Sequence, residues 1–335
     1  MPAESPAILL IRFSSIGDLL LTTPLIRALR ARHPGARISM VVREDMAETV
    51  LHNPRLSDVI AWPRDGSLRE LARQLRTTPW SHRLDLHGSL RSRALRQLVG
   101  GRWSGYPKHR LRRAALIRLG RGGPLGSVAE RYFAAAQGLD VTPDGGPAEF
   151  FTTREAERAA DAFLAEHALG AERTLLAFAP GAAHFTKRWP ADRWSALIRR
   201  VRSTADIVVV GGPGDRELAD EIVRASDGAA ASAAGRFSLT GTAALLKRAR
   251  AVVSCDTGVM HLATAVGTPV VALFGPTVEE FGFFPYRARA TVLQRELSCR
   301  PCSSHGGPVC PLGHHRCMLE TLPEEVAAAV TTLPR

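Results

Sequence analysis

The sequence is poor in aromatic residues, which make up 6% of its 335 positions and are not interleaved with its basic ones. A groove that grips nucleic acid by base stacking needs that interleaving, so nucleic acid is not expected as a partner. No apolar run approaches the roughly 20 residues that span a bilayer, and no basic region precedes the first apolar segment as a secretory signal would require. These absences predict a cytoplasmic chain. No Asp-x-Asp pair occurs, so a divalent metal holding a diphosphate is not required, and no catalytic cofactor is expected. Acidic residues are missing altogether from Arg91 to Arg121, where ten Lys or Arg fall.

What is present is charge of one sign. The net charge is +12, and the Arg91–Arg121 run concentrates it. Such a patch attracts nucleic acid, an anionic membrane surface or a phosphorylated substrate through the same Coulombic attraction. The alternative is a solvated arginine-rich face. With 45% hydrophobic residues the rest is an ordinary globular chain, long enough for two α/β domains.

The residues alternate accordingly. Ala7–Phe13, Ile38–Val42, Val59–Trp62 and Leu84–His87 read as short buried strands separated by helices, the pattern of a parallel sheet with crossovers. Pro24 falls inside the first helical stretch, so that helix either bends there or restarts with Thr23 as its cap. The breaker cluster Thr142-Pro143-Asp144-Gly145-Gly146-Pro147 suggests a domain boundary, giving domains 1–150 and 151–335. The pattern then repeats through strands at Thr174–Ala179 and Ile207–Val210. It ends in strand, polar turn, short helix and strand over Val252–Thr277. There Asp256-Thr257-Gly258 falls where a strand's carboxyl end meets a helix N-terminus, a place suited to an anion such as a diphosphate. The plainer reading of Asp256 is a helix cap. Two such sheets facing each other across a cleft would hold a ligand between their loop ends.

Four of the five cysteines lie in Cys299-x2-Cys302-x7-Cys310-x6-Cys317, with His305, His314 and His315 among them. Only one half is a CxxC, so structural zinc on Cys299, Cys302, Cys310 and Cys317, free thiols, and disulfide or redox use all remain open.

The ordered set Ile16-Gly17-Asp18, Pro180-Gly181 followed by Lys187-Arg188-Trp189-Pro190, Gly211-Gly212-Pro213-Gly214-Asp215, Asp256-Thr257-Gly258 with His261, and Phe274-Gly275-Pro276-Thr277 resembles glycosyltransferase family 9 from about Ile8 to Val330. These are the ADP-heptose:lipopolysaccharide heptosyltransferases. The resemblance implies a GT-B fold of two Rossmann-like domains, with the acceptor on the first domain and the nucleotide sugar on the second, and a final helix that packs back on the first. It implies inverting transfer of L-glycero-D-manno-heptose from ADP-heptose to the lipopolysaccharide inner core, at the inner face of the cytoplasmic membrane. Asp18 would then be the general base, unless it only caps a helix, and Lys187 would steady the departing ADP. Thr186, Asp256, Thr257, Gly258 and His261 would complete the donor side, with Asp215 or Glu217 for the ribose. His87, Ser89 and Arg91 would begin the acceptor side, and the basic run beyond them fits a phosphorylated glycolipid. A family member using another nucleotide sugar, a sugar-nucleotide epimerase of the same fold, and a nucleic-acid-binding protein are the competing readings.

Overall fold

The computed structural model describes residues 5–120 and 122–333; Arg121, the last of the basic run, lies outside them. The chain forms two compact units. The first runs to His109 and resumes over Gly126–Phe150, and the second holds Arg110–Leu125 and the chain from Phe151 on. Residues 110–125 therefore group with the second unit, which a single cut at 150 does not show. Arg113 accounts for it, since its Nη2 donates to Ser304 O at 2.8 Å and its guanidinium lies over the rings of Phe281 and Phe283.

The first unit contains β1 (Ala7–Ile11), α1 (Ile16–Leu20), α2 (Thr23–Arg32), β2 (Arg37–Arg43), β3 (Asp58–Trp62), α3 (Leu68–Arg76), β4 (His82–Asp85), α4 (Leu90–Val99) and β5 (Ser104–Gly105). The basic helix α5 (Arg110–Leu119) belongs to the second unit, and α6 (Val128–Tyr132) returns to the first. The five strands are parallel in the order β3-β2-β1-β4-β5. Ile8, Leu9, Leu10 and Ile11 are all fully buried, as an unbroken apolar run in a sheet covered on both faces should be.

Pro24 settles as the start of a second helix. It occupies the first turn of α2, with Thr22 rather than Thr23 in the cap position. A proline at 24 has no N–H to give the carbonyl of Leu20. Thr23 Oγ1 supplies the missing donor at 2.7 Å, and Thr22 Oγ1 adds a second donor to Leu19 O at 2.6 Å beside its own N–H at 3.0 Å.

The second unit continues with α7 (Arg154–Glu166), β6 (Thr174–Ala179), α8 (Ala191–Val201), β7 (Ala205–Val209), α9 (Arg216–Ala225), β8 (Ala231–Ser232), α10 (Leu239–Arg248), β9 (Ala251–Cys255), α11 (Gly258–Ala265), β10 (Val270–Phe274), β11 (Ala290–Gln294), α12 (Arg316–Leu319) and α13 (Pro323–Thr332). Its sheet is parallel in the order β11-β10-β9-β6-β7-β8. Trp189, Trp194 and Phe178 fill the core on one face. The last helix, which the resemblance sends to the first domain, packs here on α8 and against β9 and β10.

In each sheet the strand order reverses once, between β1 and β4 in the first and between β6 and β9 in the second. Crossovers leave these adjacent strands toward opposite sides, which opens a crevice beyond their carboxyl ends. The turns there carry Asp18, His87, Lys187 and Asp256.

Thr23 is 1% exposed, and its hydroxyl also accepts the Glu149 amide at 2.8 Å. Thr23→Val keeps the shape and strands both backbone groups, so it should cost about 2 kcal/mol or more. A urea unfolding midpoint equal to wild type would show that these groups find other partners.

Candidate active site

In the first unit the strand β1 delivers Arg12 and then Asp18 to the crevice. Asp18 sits in the first turn of α1, where its Oδ2 accepts Ser15 Oγ at 3.0 Å and Ser15 N at 3.4 Å. It thus does what a capping aspartate does. The same oxygen also meets Arg12 Nη2 at 2.6 Å. Arg12 is buried and is held by Leu86 O at 2.8 Å and Tyr106 Oη at 3.4 Å, with the Tyr132 ring 5.9 Å away. Burial alone would depress the guanidinium's pKa, but Asp18 and the two tyrosines outweigh it and hold the group above its ordinary value.

His87 follows β4 and packs on Phe13 with the two rings tilted 59° to each other, 5.0 Å between centroids. Burial first, then the positive charges of Arg12 and Lys108, push its pKa down to about 4. Its imidazole is therefore neutral near pH 7, and its Nδ1 is buried with no hydrogen-bond partner among the described residues. Asp85 accepts the amides of His87 and Gly88 at 2.9 and 2.8 Å, which fixes the turn. Ser89 caps α4, its Oγ accepting Ser92 N at 3.1 Å. Arg91 is exposed, with its guanidinium 5.4 Å from the Trp62 ring.

In the second unit Lys187 ends a one-turn 3-10 helix, Phe185–Lys187, after β6. Its Nζ meets Asp256 Oδ2 at 2.6 Å, and Thr277 Oγ1 donates to that oxygen at 2.8 Å. Asp256 is 7% exposed. Two residues on, Gly258 begins α11, whose cap residue Thr257 makes no side-chain cap bond and lies 3.3 Å from Ser254 Oγ. The helix therefore starts with backbone N–H groups that its cap side chain does not satisfy, next to a fixed ammonium. His261 is buried one turn further along. Thr186 is also buried, its hydroxyl donating to Gly307 O at 3.2 Å and accepting Gly307 N at 2.8 Å. Asp215 accepts Gly212 N at 2.9 Å, and a Cβ at Gly181 would collide with its carboxylate. Asp215 thus closes its own glycine turn and lies directly against Gly181 of the loop after β6. Glu217 is exposed, and Arg188 holds its own loop, with Nε donating to Ala182 O at 2.8 Å.

Residues 68–311 match the family model described as glycosyltransferase family 9 (heptosyltransferase). A lipopolysaccharide heptosyltransferase 1 from Pseudomonas aeruginosa is 30% identical over 88% of this chain and 85% of its own length. The chain belongs to glycosyltransferase family 9. Its relatives include a lipopolysaccharide heptosyltransferase 2 from Salmonella typhimurium, 26% identical over 82% of this chain and 84% of that one. Among solved structures, a family 9 glycosyltransferase from Veillonella parvula superposes with a TM-score of 0.83 at 25% identity, covering 99% of this chain and 98% of the other. An Escherichia coli ADP-heptose lipopolysaccharide heptosyltransferase II gives 0.75 at 24% identity over 97% of both chains. The two parallel α/β units of this glycosyltransferase are those of the GT-B fold.

The geometry gives the zinc reading of the cysteines no support. All five cysteines are free thiols, and among the described residues no group of three or more His, Cys, Asp or Glu is placed to hold a metal ion. Cys317 lies buried in α12, with its pKa pushed up to about 11 by burial first and then by the neighbouring cysteines. Cys299 Sγ comes within 3.9 Å of His314 Nε2, but that is a pair and not a ligand set. Among the described residues no helix is long and apolar enough to cross a membrane.

Sequence reasoning missed Arg12 and Tyr106 around Asp18, Lys108 beside His87, and Thr277 beside Asp256. The signal for Arg12 was there, because a single arginine closes the otherwise apolar run Ala7–Phe13. Thr277 lies in the quoted Phe274–Thr277 motif, though nothing in sequence says that its hydroxyl reaches Asp256.

The lowered pKa of His87 carries a sign. The unfolded chain binds a proton there near pH 6.5 and the folded chain only near 4, so the contribution is complete above about 6.5 and is lost as pH falls toward 4. The effect is at most ~3 kcal/mol, given partial exposure. The His87 imidazole resonances should stay at their neutral positions from pH 8 down to 5.5. A titration midpoint above 6 would mean that the site is wetter and less positive than described.

Proposed function

We propose that this glycosyltransferase moves a heptosyl group from ADP-heptose to the inner core of lipopolysaccharide, with inversion at the transferred carbon. The observation that carries the reading is the Lys187–Asp256 pair, 2.6 Å apart, set two residues before the open N-terminus of α11 at the second sheet's switch point. A fixed ammonium beside unsatisfied N–H groups is a receptacle for a diphosphate leaving group. The curated relatives are named as lipopolysaccharide heptosyltransferases, and one solved structure of the same fold, an Escherichia coli heptosyltransferase, contains ADP.

On this reading the acceptor hydroxyl attacks the anomeric carbon from the face opposite ADP. Its proton passes to Asp18, and ADP leaves with the electron pair of the broken C–O bond. Arg12 stays protonated and cannot take that proton, so it rests on the carboxylate. Lys187, with Thr257 and Gly258, steadies the charge that grows on the diphosphate. Asp256 fixes the ammonium, His261 backs the turn, and Asp215 shapes the glycine loop toward the ribose. Thr186 belongs to the same donor loop. On the acceptor side His87 offers a neutral imidazole, and Ser89 and Arg91 begin the basic face. That face suits a phosphorylated glycolipid at the inner surface of the cytoplasmic membrane, where the protein would act peripherally.

ADP release from ADP-heptose should depend on a heptose-deficient core acceptor. Asp18→Asn should keep donor affinity and lose about a hundredfold to ten-thousandfold in kcat. Lys187→Ala should weaken donor binding and lose roughly a hundredfold in kcat/KM. Normal turnover by Asp18→Asn would remove it as the base. Consumption of a different nucleotide sugar, with ADP-heptose untouched, would keep the site and replace the donor.

A further inference from the structure

Lys187 stands on a helix of three residues, too short to hold itself. Its support comes from the cysteine-rich segment, over a hundred residues away in sequence. Thr186 N donates to Gly307 O at 3.2 Å, and the Thr186 hydroxyl exchanges two further bonds with Gly307. The Thr186 carbonyl accepts His315 Nε2 at 3.2 Å. Amide, hydroxyl and carbonyl of the residue before Lys187 are therefore all engaged by residues 307 and 315. The His315 ring also lies on Phe185, 4.9 Å between centroids and 30° from parallel.

Gly306 completes the grip. It has φ +93°, and a Cβ there would lie 2.9 Å from His184 Cβ and 3.2 Å from Lys187 Cγ, so its backbone rests directly on the lysine stem. The segment is itself anchored, by Arg113 to Ser304 O at 2.8 Å and by Cys302 N to Pro276 O at 3.3 Å.

We propose that Gly306, Gly307 and His315 are positioning residues, forming a clamp that holds the Lys187 ammonium in place for the donor diphosphate. The proposal rests on the donor-side reading of Lys187 given above. The Thr186 hydroxyl then serves the clamp rather than the ligand.

The test compares Gly306→Ala, His315→Leu and His315→Gln in the full-length protein, with Lys187→Ala as the reference and ADP as the probe. Gly306→Ala and His315→Leu should each weaken ADP binding about tenfold, measured by calorimetry. They should also speed amide hydrogen exchange over residues 184–188 about tenfold, with the global unfolding midpoint close to wild type. His315→Gln, which keeps a donor to the Thr186 carbonyl, should restore both. Exchange unchanged in Gly306→Ala and His315→Leu would show that the segment does not hold the turn, and would overturn the clamp. Faster exchange with normal ADP affinity, while Lys187→Ala binds weakly, would also overturn it, because the turn would loosen without consequence for the lysine. If Lys187→Ala bound ADP as tightly as wild type, the donor reading of the lysine would be what failed.

Discussion

Strands buried on both faces leave this chain one place for polar chemistry. Val252, Val253, Val270 and Val271 in one sheet and Ile8–Ile11 in the other are fully buried, so no charged side chain can stand on either sheet's surface without a partner. The carboxyl ends are different, because there the chain leaves the core and turns. Where neighbouring strands send their crossovers to opposite sides, the turns spread apart and expose backbone N–H groups. Asp18 and His87 in the first unit, and Lys187 and Asp256 in the second, follow the strands that flank the reversal. The topology selects the positions, and the residue types supply the chemistry.

The first-unit cluster shows how a buried cation is tolerated. Desolvating a guanidinium costs several kcal/mol, and the offset at Arg12 is one carboxylate oxygen at 2.6 Å with carbonyl and phenol contacts around it. The arrangement keeps a positive charge beside Asp18 at all accessible pH and keeps His87 neutral. The buried arginine adds to the burial that keeps His87 neutral. It also explains why a carboxamide is the informative replacement at 18. Alanine would take the acceptor away along with the charge and leave Arg12 only Leu86 O and Tyr106 Oη, at a cost of about 3–5 kcal/mol, and would mix loss of folding with loss of activity.

The fold was legible wherever apolar runs and breakers alternate, as they do from Ala7 to Thr277. The exceptions have physical reasons. Ser104–Gly105 and Ala231–Ser232 are two-residue strands with no periodicity to read. The grouping of α5 with the second unit depends on where Arg113 finds a carbonyl and two rings, and composition does not encode that. Of the site, Asp18, Lys187, Asp256 and Gly258 stand in turns that the pattern itself marks. Thr186 and Asp215 were singled out with the same motifs, yet the Thr186 side chain is spent on Gly307 and that of Asp215 on its own turn. A motif records that a residue type is needed without recording which way it points. CxxC spacing likewise describes proximity along the chain, and among the described residues no three or more His, Cys, Asp or Glu are placed to hold a metal ion.

Lys187 and Asp256 also face a competition that their geometry makes tractable. An ammonium already paired at 2.6 Å is electrostatically satisfied, and a diphosphate must gain enough from it to share it. Thr277 holds Asp256 at the same oxygen that meets the ammonium, so the carboxylate is tethered, and a small rotation of the lysine stem would pass charge from protein to ligand. That rotation is useful only if the stem pivots about a fixed backbone. A three-residue turn tied through one residue to Gly307 and His315, 121 and 129 positions away, supplies such a pivot. The entropy of closing so long a loop is met by folding rather than by ligand binding, because closure cost grows only slowly with length. Donor affinity on this account draws on order that the second unit has already established before the nucleotide arrives.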